Sequence, residues 1–473
     1  MEAVPLIRTS SVGGSKRSLL SKSGFGQTES KTVLWKTFIV RSLFLLLTIL
    51  CSVSVGWFFA GGKFIVEFPQ TSPFIVSRTK DLPSPVQLED GKKAPELVQE
   101  QVILNENDKS DGIDYDATPE HCVRQKDRLY FLKTHKTASS VIENILYRYG
   151  LRTDKTFAFP SNGALIFNYR KPFAKKMMLP LPDRSRPDIL QQHTRYSKEV
   201  ADLFPKSDSY RITILRDPGT LFPSLFKYFP RNPPFKQAKT VENFVSSPEK
   251  YSRAGGADFV TRNSMTFQMG FDNFLKTLPS DDEMAEIISA VDNEFDLVLL
   301  SEYLPQSLIL LRHLLCMTWS DIATMSKNIS QRKHFEEDTK EKIRRWQNVD
   351  TRVYEAANMT FWRKVKEFGE EKMTAEMAIL EKMNTENAEK CVKGYRPVKE
   401  LAVEFRDYEP PGLTIEGIEL KEGYTDVCYN IALSPFSLAI DILDKQCQSS
   451  SFLRKYMHME DRPKRFGTDC QND

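Results

Sequence analysis

The chain has 473 residues, and its 66 lysines and arginines nearly balance its 63 aspartates and glutamates, which leaves a formal net charge of +3. This length is enough for one large domain or two modest ones with a real hydrophobic core. The charge balance does not support a nucleic-acid polymer as the partner, so the local basic clusters are more informative than the total charge.

A long uncharged segment lies near the N-terminus. Residues 42–62 carry no charged side chain, and they approach the ~20 apolar residues that a membrane-spanning helix needs. Lysines and arginines outnumber glutamates in residues 1–41, so the positive-inside rule predicts a single-pass type II signal anchor with a cytosolic tail and a lumenal body. A cleaved signal peptide is the alternative, but the polar leader is long and the apolar run exceeds a usual signal-peptide core.

The next predicted region is a stem over residues 63–121. It is rich in proline, serine and charged residues and shows no sustained periodicity. This composition favours a flexible connection that holds a lumenal catalytic unit away from the membrane. The alternative is an irregular N-terminal layer on the domain that follows.

The first clear pattern of strand, turn and helix follows the stem. Residues 128–132 are aromatic and apolar, as in a buried strand, and residues 141–149 place apolar side chains on one helical face, with Gly150 as the expected stop. The turn between them, residues 133–140, is rich in lysine and hydroxyl side chains. Backbone N–H groups and the positive end of the helix dipole would meet there, which predicts an anion site. The alternative is an ordinary solvated turn with two surface lysines.

A second pattern of the same kind lies further along the chain. Residues 210–215 alternate like a strand and lead into Arg216, Asp217 and Pro218, with Ser224 on the helix predicted next. Arg216 and Ser224 could reach one anion, as a charged fork and a hydroxyl donor. Two anion sites at the ends of two strands suggest a nucleotide with phosphates at both ends.

The alternation of strands and helices predicts an α/β fold. Residues 296–300 form a third apolar strand, and residues 306–317 form a helix after it. The predicted architecture is a central parallel sheet flanked by helices, with right-handed crossovers and with ligands bound beyond the strand C-termini. An apolar stripe at helical spacing in residues 338–368 predicts core packing rather than a cofactor site. The chain after residue 370 is expected to begin as a charged helix and to end as an irregular, cysteine-bearing tail.

Six cysteines lie beyond the predicted anchor, and an even number in a lumenal compartment is compatible with disulfides. Six cysteines allow fifteen complete pairings, and the sequence selects none. The absence of Cys-x-x-Cys and His-x-x-x-His spacings does not favour a structural zinc site. Asn328 and Asn358 are acceptors for N-glycosylation if the predicted topology holds. The six cysteines are Cys122, Cys316, Cys391, Cys428, Cys447 and Cys470.

Two of these segments carry a family resemblance. Residues 131–140 (FLKTHKTASS) and residues 212–218 (ITILRDP) through Ser224 resemble the two donor-binding motifs of Golgi carbohydrate sulfotransferases. They are most similar to the galactose-3-O-sulfotransferase family, which includes the galactosylceramide (cerebroside) sulfotransferases. Two departures are Val141, where the family has a hydroxyl residue, and Asp217, where it commonly has glutamate.

The resemblance implies a P-loop-like sulfotransferase fold, with a sulfotransferase domain at residues 122–370 and a C-terminal extension of it at residues 371–473. It also implies 3′-phosphoadenosine 5′-phosphosulfate as the sulfate donor, held by the first motif on its 5′ side and by the second at its 3′-phosphate. Lys136 would contact the bridging oxygen of the leaving group. The residues expected to bind the donor are Lys133, Thr134, Thr137, Ala138, Ser139, Ser140, Arg216 and Ser224.

The acceptor hydroxyl must lose a proton near neutral pH, which favours a histidine base. His193 lies in a segment resembling the one in which the family has a functional histidine, so it is the predicted base, with a structural histidine as the alternative. His135, inside the donor loop, is the second candidate, and His313 on a leucine-rich helix is expected to be structural. For Arg262 and Asn263 the resemblance allows a role near the donor or the sugar, and a surface loop is the alternative.

These observations predict a Golgi membrane enzyme that transfers sulfate to the 3-hydroxyl of a β-galactose on a glycolipid or a glycoprotein, without a metal or redox cofactor. Another glycan hydroxyl as the acceptor, or a catalytically silent glycan-binding protein of the same fold, is the alternative. A P-loop kinase is not supported, because the glycines of its phosphate loop are missing. The sequence leaves the acceptor class and a homo-oligomeric state open.

Overall fold

The computed structural model describes residues 113–161, 166–183, 185–253, 259–325 and 335–465, which belong to one compact unit. The predicted cytosolic tail and membrane anchor, the stem as far as residue 112, and the Asn328 and Cys470 positions lie outside the described residues. Within these ranges, no single helix has the length and hydropathy of a membrane span, and only the helices Asp426–Ala432 and Pro435–Lys445, bent by 108°, meet that test as a pair.

The centre of the fold is a four-stranded parallel sheet in the order β2-β1-β3-β4. Its strands are β1 (Arg128–Leu132), β2 (Ile189–Leu190), β3 (Ser209–Leu215) and β4 (Leu297–Leu300). Every residue of β1 and β3 is buried, as expected for inner strands that are covered on both faces. The parallel sheet and its three predicted strands are therefore confirmed. The short β2 was not predicted, because two residues carry no periodicity.

Helices flank the sheet and fill the connections between its strands. In chain order they are α1 (Ser139–Arg152), α2 (Lys198–Leu203), α3 (Pro218–Tyr228), α4 (Pro233–Ala238), α5 (Val241–Ser246), α6 (Pro248–Arg253), α7 (Ser264–Gln268), α8 (Asp281–Glu294), α9 (Leu304–Leu315), α10 (Trp319–Ile322), α11 (Glu337–Trp346), α12 (Asn348–Phe368), α13 (Glu370–Cys391), α14 (Asp426–Ala432), α15 (Pro435–Lys445) and α16 (Ser451–Tyr456).

The helix after β1 runs past its predicted end. Gly150 does not stop α1, which continues to Arg152. A Cβ at Gly150 would lie 2.3 Å from the ring of Phe157, so this glycine allows the chain to fold back closely against the helix. The apolar face of the helix is as expected, with Ile142, Ile145 and other members of the stripe buried.

The apolar stripe of residues 338–368 is confirmed as core packing. It lies on α11 and α12, which are separated at Gln347, and its members from Ile343 to Val365 are buried. The predicted helix 306–317 is α9, which begins two residues earlier at Leu304 with Pro305 in its first turn.

The C-terminal region begins with the expected helix, α13, and it holds more regular structure than the sequence predicted. An antiparallel hairpin of β5 (Val392–Pro397) and β6 (Glu416–Leu420) follows, and then α14 to α16. The helix α15 packs on α1, and the amide of Asn144 donates to the Leu433 carbonyl just before it. The Cys391–Cys428 disulfide ties α13 to α14, and the Cys122–Cys316 disulfide ties the segment before β1 to the end of α9.

Candidate active site

The site lies at the C-terminal edge of the sheet, between β1 and β3. From β1 the chain crosses to β2 on one side, and from β3 it crosses to β4 on the other, so a topological switch point lies between the two central strands. Open α/β sheets bind ligands at such points. The structure brings the two predicted anion sites into contact there, because the Arg216 guanidinium donates to the Lys136 carbonyl at 3.0 Å.

The loop after β1, residues 133–138, is held in shape by its own hydroxyl groups. The Thr134 hydroxyl donates to the Ile214 carbonyl of β3 at 2.5 Å and lies 2.8 Å from the Thr137 hydroxyl. The Ser139 hydroxyl donates to the Thr134 carbonyl at 2.6 Å. These three side chains are buried, whereas Ser140 is exposed at the start of α1. The hydroxyls that were predicted to bind the donor therefore also fix the loop before any ligand arrives.

The backbone of this donor loop is suited to an anion. Lys136 and Ala138 have φ of 61° and 64°, while Thr137 between them has negative φ. Such alternation turns successive N–H groups towards one concavity. Among the described residues no side chain caps the N-terminus of α1, and its first turn has no acidic residue. The positive end of the helix dipole is thus not neutralised by the protein.

The two lysines of the donor loop differ in their surroundings. The Lys133 ammonium lies 2.6 Å from the Glu143 carboxylate, and both side chains are buried. The Lys136 ammonium lies over the Tyr228 ring, 4.2 Å from its centroid. Burial, followed by repulsion from Arg216 and other cations, lowers the pKa of Lys136 to about 8. The Lys133 charge is balanced within the protein, whereas Lys136 remains in a cationic environment that an anionic ligand would relieve.

His135 and His193 form a stacked pair beside this loop. Their ring centroids are 3.8 Å apart, with 16° between the planes. Nδ1 of His135 lies 2.6 Å from Oε1 of Gln268, and Nδ1 of His193 lies 2.8 Å from the Lys133 carbonyl. Because a carbonyl oxygen only accepts, both histidines carry their hydrogen on Nδ1, and both Nε2 atoms have a free lone pair in the neutral ring.

The pKa values of both histidines are lowered. Burial is the main cause for His135, whose pKa falls to about 3. Burial, and then the neighbouring His135 and Lys133, lowers the pKa of His193 well below its ordinary value. Both rings are therefore neutral near pH 7, which is the state that a proton acceptor requires.

The second anion motif is organised by side chains. The Arg216 Nε donates to the Thr220 hydroxyl at 3.0 Å, and Ser224 lies half-buried on α3. Asp217 caps α3 by accepting from the Gly219 N–H at 3.1 Å. The Arg344 guanidinium holds that carboxylate through two contacts, at 3.0 and 3.1 Å.

Arg262 and Asn263 do not lie in a surface loop, because both side chains are buried. The Arg262 guanidinium lies 4.1 Å from the Trp346 ring centroid and donates to the Trp346 carbonyl. Asn263, with φ of 46°, donates through Nδ2 to the Asn273 carbonyl at 3.0 Å. The Arg262 contacts join the segment before α7 to the end of α11, and the Asn263 bond joins it to the segment after α7.

Several residues of the site carried no recognisable signal in the sequence. Gln268 lies on α7 and Tyr228 lies at the end of α3, beyond Ser224 of the second motif, and both reach the site because α7 and α3 pack beside the donor loop. Tyr408, from the C-terminal region, has its ring centroid 6.3 Å from that of Tyr228. His313 is remote from this group and bonds Glu376 at 2.8 Å. Within the described ranges, no group of three or more His, Cys, Asp or Glu side chains could hold a metal ion.

A parallel α/β sheet with a basic loop and a neutral histidine pair at its switch point is the arrangement of a group-transfer enzyme that binds an anionic donor. The family model for galactose-3-O-sulfotransferase matches residues 100–434. The chain therefore belongs to the galactose-3-O-sulfotransferase family, and it is a sulfotransferase.

Some of the similar proteins are named for a glycolipid, galactosylceramide, and others are named only for galactose. Galactosylceramide sulfotransferase of Bos taurus is 35% identical over 314 residues, which cover 64% of this chain and 73% of that protein. Galactose-3-O-sulfotransferase 3 of Bos taurus is 30% identical over 336 residues, covering 67% of this chain and 78% of the relative. Galactose-3-O-sulfotransferase 2 of Mus musculus is 27% identical over 352 residues, covering 69% and 88%.

Proposed function

We propose that this chain transfers sulfate from 3′-phosphoadenosine 5′-phosphosulfate to the 3-hydroxyl of a β-linked galactose on a glycolipid or glycoprotein. The observation that carries the proposal is the contact between the neutral histidine pair and the donor loop, through the bond from His193 Nδ1 to the Lys133 carbonyl. A neutral imidazole in contact with a loop suited to an anion supports group transfer from an anionic donor. The family and its named relatives support the galactose acceptor.

The donor loop and Arg216 bind different parts of the donor. The N-terminus of α1 and the backbone of residues 136–140 hold the 5′-phosphate, while Arg216 and Ser224 hold the 3′-phosphate. Lys136 contacts the bridging oxygen, where charge accumulates as the bond from that oxygen to sulfur breaks. Lys133, with its charge balanced by Glu143, serves the general electrostatics of the phosphosulfate rather than the leaving group. A preorganised cation at a developing charge is worth several orders of magnitude in rate.

His193 is the proposed base. The acceptor oxygen forms a bond to sulfur, the electron pair of the broken bond stays on the departing phosphate, and the acceptor proton goes to Nε2 of His193. Burial, and then the charges of His135, Lys133 and Lys136, lower the pKa of this histidine. A bound polyanion would offset the two lysine charges and raise the pKa towards the value that suits a general base at neutral pH.

The proposed location is the Golgi lumen, with residues 42–62 as the type II anchor. The disulfides Cys122–Cys316 and Cys391–Cys428 support an oxidising compartment.

The test is transfer of labelled sulfate to a panel of β-galactosides, lipid-linked and protein-linked, with the position of sulfation determined in each product. Wild-type protein is expected to sulfate the 3-hydroxyl. The His193→Ala variant should lose about 10²–10⁴ in kcat, with its affinity for the desulfated nucleotide within threefold of wild type. Nucleotide binding without any product would favour the silent glycan-binding alternative. A lack of nucleotide binding would contradict the donor itself, and sulfate at another position would contradict the regiochemistry.

A further inference from the structure

The polar contacts of the histidine pair extend to a glutamine that is distant in sequence. Gln268 is fully buried on α7, where its Nε2 donates to the Ser264 carbonyl at 2.7 Å and its Oε1 lies 2.6 Å from Nδ1 of His135. The Ser264 carbonyl can only accept, so it fixes which end of the amide faces the histidine. His135 therefore donates from Nδ1 to Gln268, and its Nε2 has the lone pair.

The helix that carries Gln268 is itself anchored by a buried carboxylate. Asp350 on α12 accepts from the backbone N–H groups of Met265 and Thr266 at 3.0 and 2.8 Å, and also from the Thr266 hydroxyl. A helix of five residues has little stability of its own. The position of the Gln268 carbonyl is thus set by the core helix α12 and not by a loose loop.

We propose that Gln268 is a positioning residue for proton transfer, acting through His135. Its carbonyl holds the His135 ring in one tautomer and flat against His193, so that the acceptor proton goes to Nε2 of His193 beside a neutral neighbour. This inference rests on the proposed function, because it concerns the base of that reaction.

The charges around the pair explain why a neutral neighbour matters. Lys133 and Lys136 face both rings from the donor loop, and Tyr169 lies edge-on to His135 with centroids 4.7 Å apart. A proton on His193 already has these two cations for neighbours. A second charged imidazole in stacking contact would oppose that proton further, so the reaction needs His135 to stay uncharged.

A double-mutant cycle in the full-length enzyme tests the coupling. Gln268→Met keeps most of the side-chain volume but removes the acceptor, and kcat should fall about tenfold, a part of the 10²–10⁴ that a general base contributes. The KM for the donor should stay within about threefold of wild type. His135→Phe keeps an aromatic ring against His193 without a nitrogen, so adding Gln268→Met to it should cause no further loss of kcat. An equal loss in both backgrounds would show a merely structural glutamine and overturn the proposal.

The pH profile gives a second readout that packing alone would not change. In Gln268→Glu a carboxylate faces Nδ1 and raises the pKa of His135. As the pH falls through that value His135 becomes charged, so the acid limb of kcat should move to higher pH than in wild type. An unmoved limb would contradict the proposal, even if Gln268→Met proved too unstable to assay.

A matched control is Gln347→Met. This second buried glutamine bonds the Thr261 carbonyl and the Asn263 N–H in the same layer, without touching the histidines. It should keep the wild-type kcat and pH profile. If wild-type enzyme transferred no sulfate, the proposed function would fail; if it did and Gln268→Met matched it, only this inference would fail.

Discussion

The two strand-turn-helix units at the centre of the site differ in what they offer to an anion. In the first, β1 and α1, the turn has two residues with positive φ, and none of the described side chains caps the helix. In the second, β3 and α3, Asp217 caps the helix and is held in turn by Arg344. The first helix N-terminus is thus left for a ligand, whereas the second is already occupied by a carboxylate.

This difference supports the proposed division of the donor. The first unit offers backbone N–H groups and the Lys136 ammonium, which suit a group whose charge changes during the reaction. The second offers the side chains of Arg216 and Ser224, which suit a static phosphate that anchors the nucleotide. On the proposed function, variants in the first unit should change turnover, and variants in the second should change nucleotide affinity.

The largest effect is expected from Lys136→Ala in the first unit. Loss of the cation at the leaving oxygen should lower kcat by about 10²–10³-fold or more, with a thermal unfolding midpoint close to wild type. Lys136→Arg is the matched control, because it keeps the charge but not the compact ammonium, and it should recover part of the rate. Near-normal turnover in Lys136→Ala would contradict the assignment of the leaving-group contact.

Arg216→Ala in the second unit should instead weaken nucleotide binding. A charged group that bonds phosphate contributes about 1.5–3 kcal/mol, so titration with the desulfated nucleotide should show a loss of about 10- to 100-fold. Arg344→Met is the control, because it breaks the pair with Asp217 but leaves Arg216 in place. It should lower stability by about 1 kcal/mol with little change in affinity. Equal losses of affinity in both variants would show that Arg216 acts only on the fold.

The lowered pKa of Lys136 predicts a pH dependence in the first unit alone. Burial, followed by repulsion from neighbouring cations, lowers the pKa of this ammonium to about 8, and only the charged form attracts the donor. As the pH rises above 8, affinity for the desulfated nucleotide should therefore fall by up to about tenfold per pH unit. Lys136→Arg should bind with the same affinity from pH 7 to pH 9.5, since guanidinium stays charged. If the affinity of the wild type did not change over this range, the pKa of Lys136 would have to lie well above it.

Some elements of the fold could be predicted from the sequence and others could not. Strands β1 and β4 were predicted because a buried parallel strand is a short run of apolar residues, and β3 was predicted from its alternating pattern. The hairpin of β5 and β6 was missed because β5 (Val392–Pro397) is largely exposed and carries no apolar run. The end of α1 was misplaced because Gly150 allows a close contact with Phe157 and does not end the helix.

The candidate site shows the same limit. Lys136, Arg216 and His193 stand in segments with a local signature, so the sequence could propose them. Gln268 was not, because its role arises from a contact with His135 across 133 residues of sequence. The stacking of His135 on His193 was equally invisible, although each had been considered as a base. A sequence motif indicates which residues lie together in one loop. Which side chains meet from loops after different strands depends on the register of the sheet.

The smallest effects test the backbone of the two units. Ala138 has φ of 64°, a conformation that costs a non-glycine residue about 1 kcal/mol, so Ala138→Gly should raise the free energy of unfolding by about 0.5–1 kcal/mol. At Gly219 an added Cβ would lie 3.1 Å from the Asp217 carboxylate and 3.3 Å from Nε of Arg344. Gly219→Ala should therefore strain the cap of α3 and lower stability by about 1 kcal/mol.

The two substitutions should have opposite effects on stability. Ala138→Gly removes backbone strain from the turn before α1, which none of the described side chains caps, whereas Gly219→Ala crowds the turn before α3, which Asp217 caps. Chemical denaturation of the lumenal region would measure both. A gain of stability in Gly219→Ala, or a loss in Ala138→Gly, would mean that the two turns do not differ in the way their dihedral angles and contacts indicate. If both changes in stability have the expected direction, the turn before α1 keeps a strained backbone at the position where the proposed ligand binds.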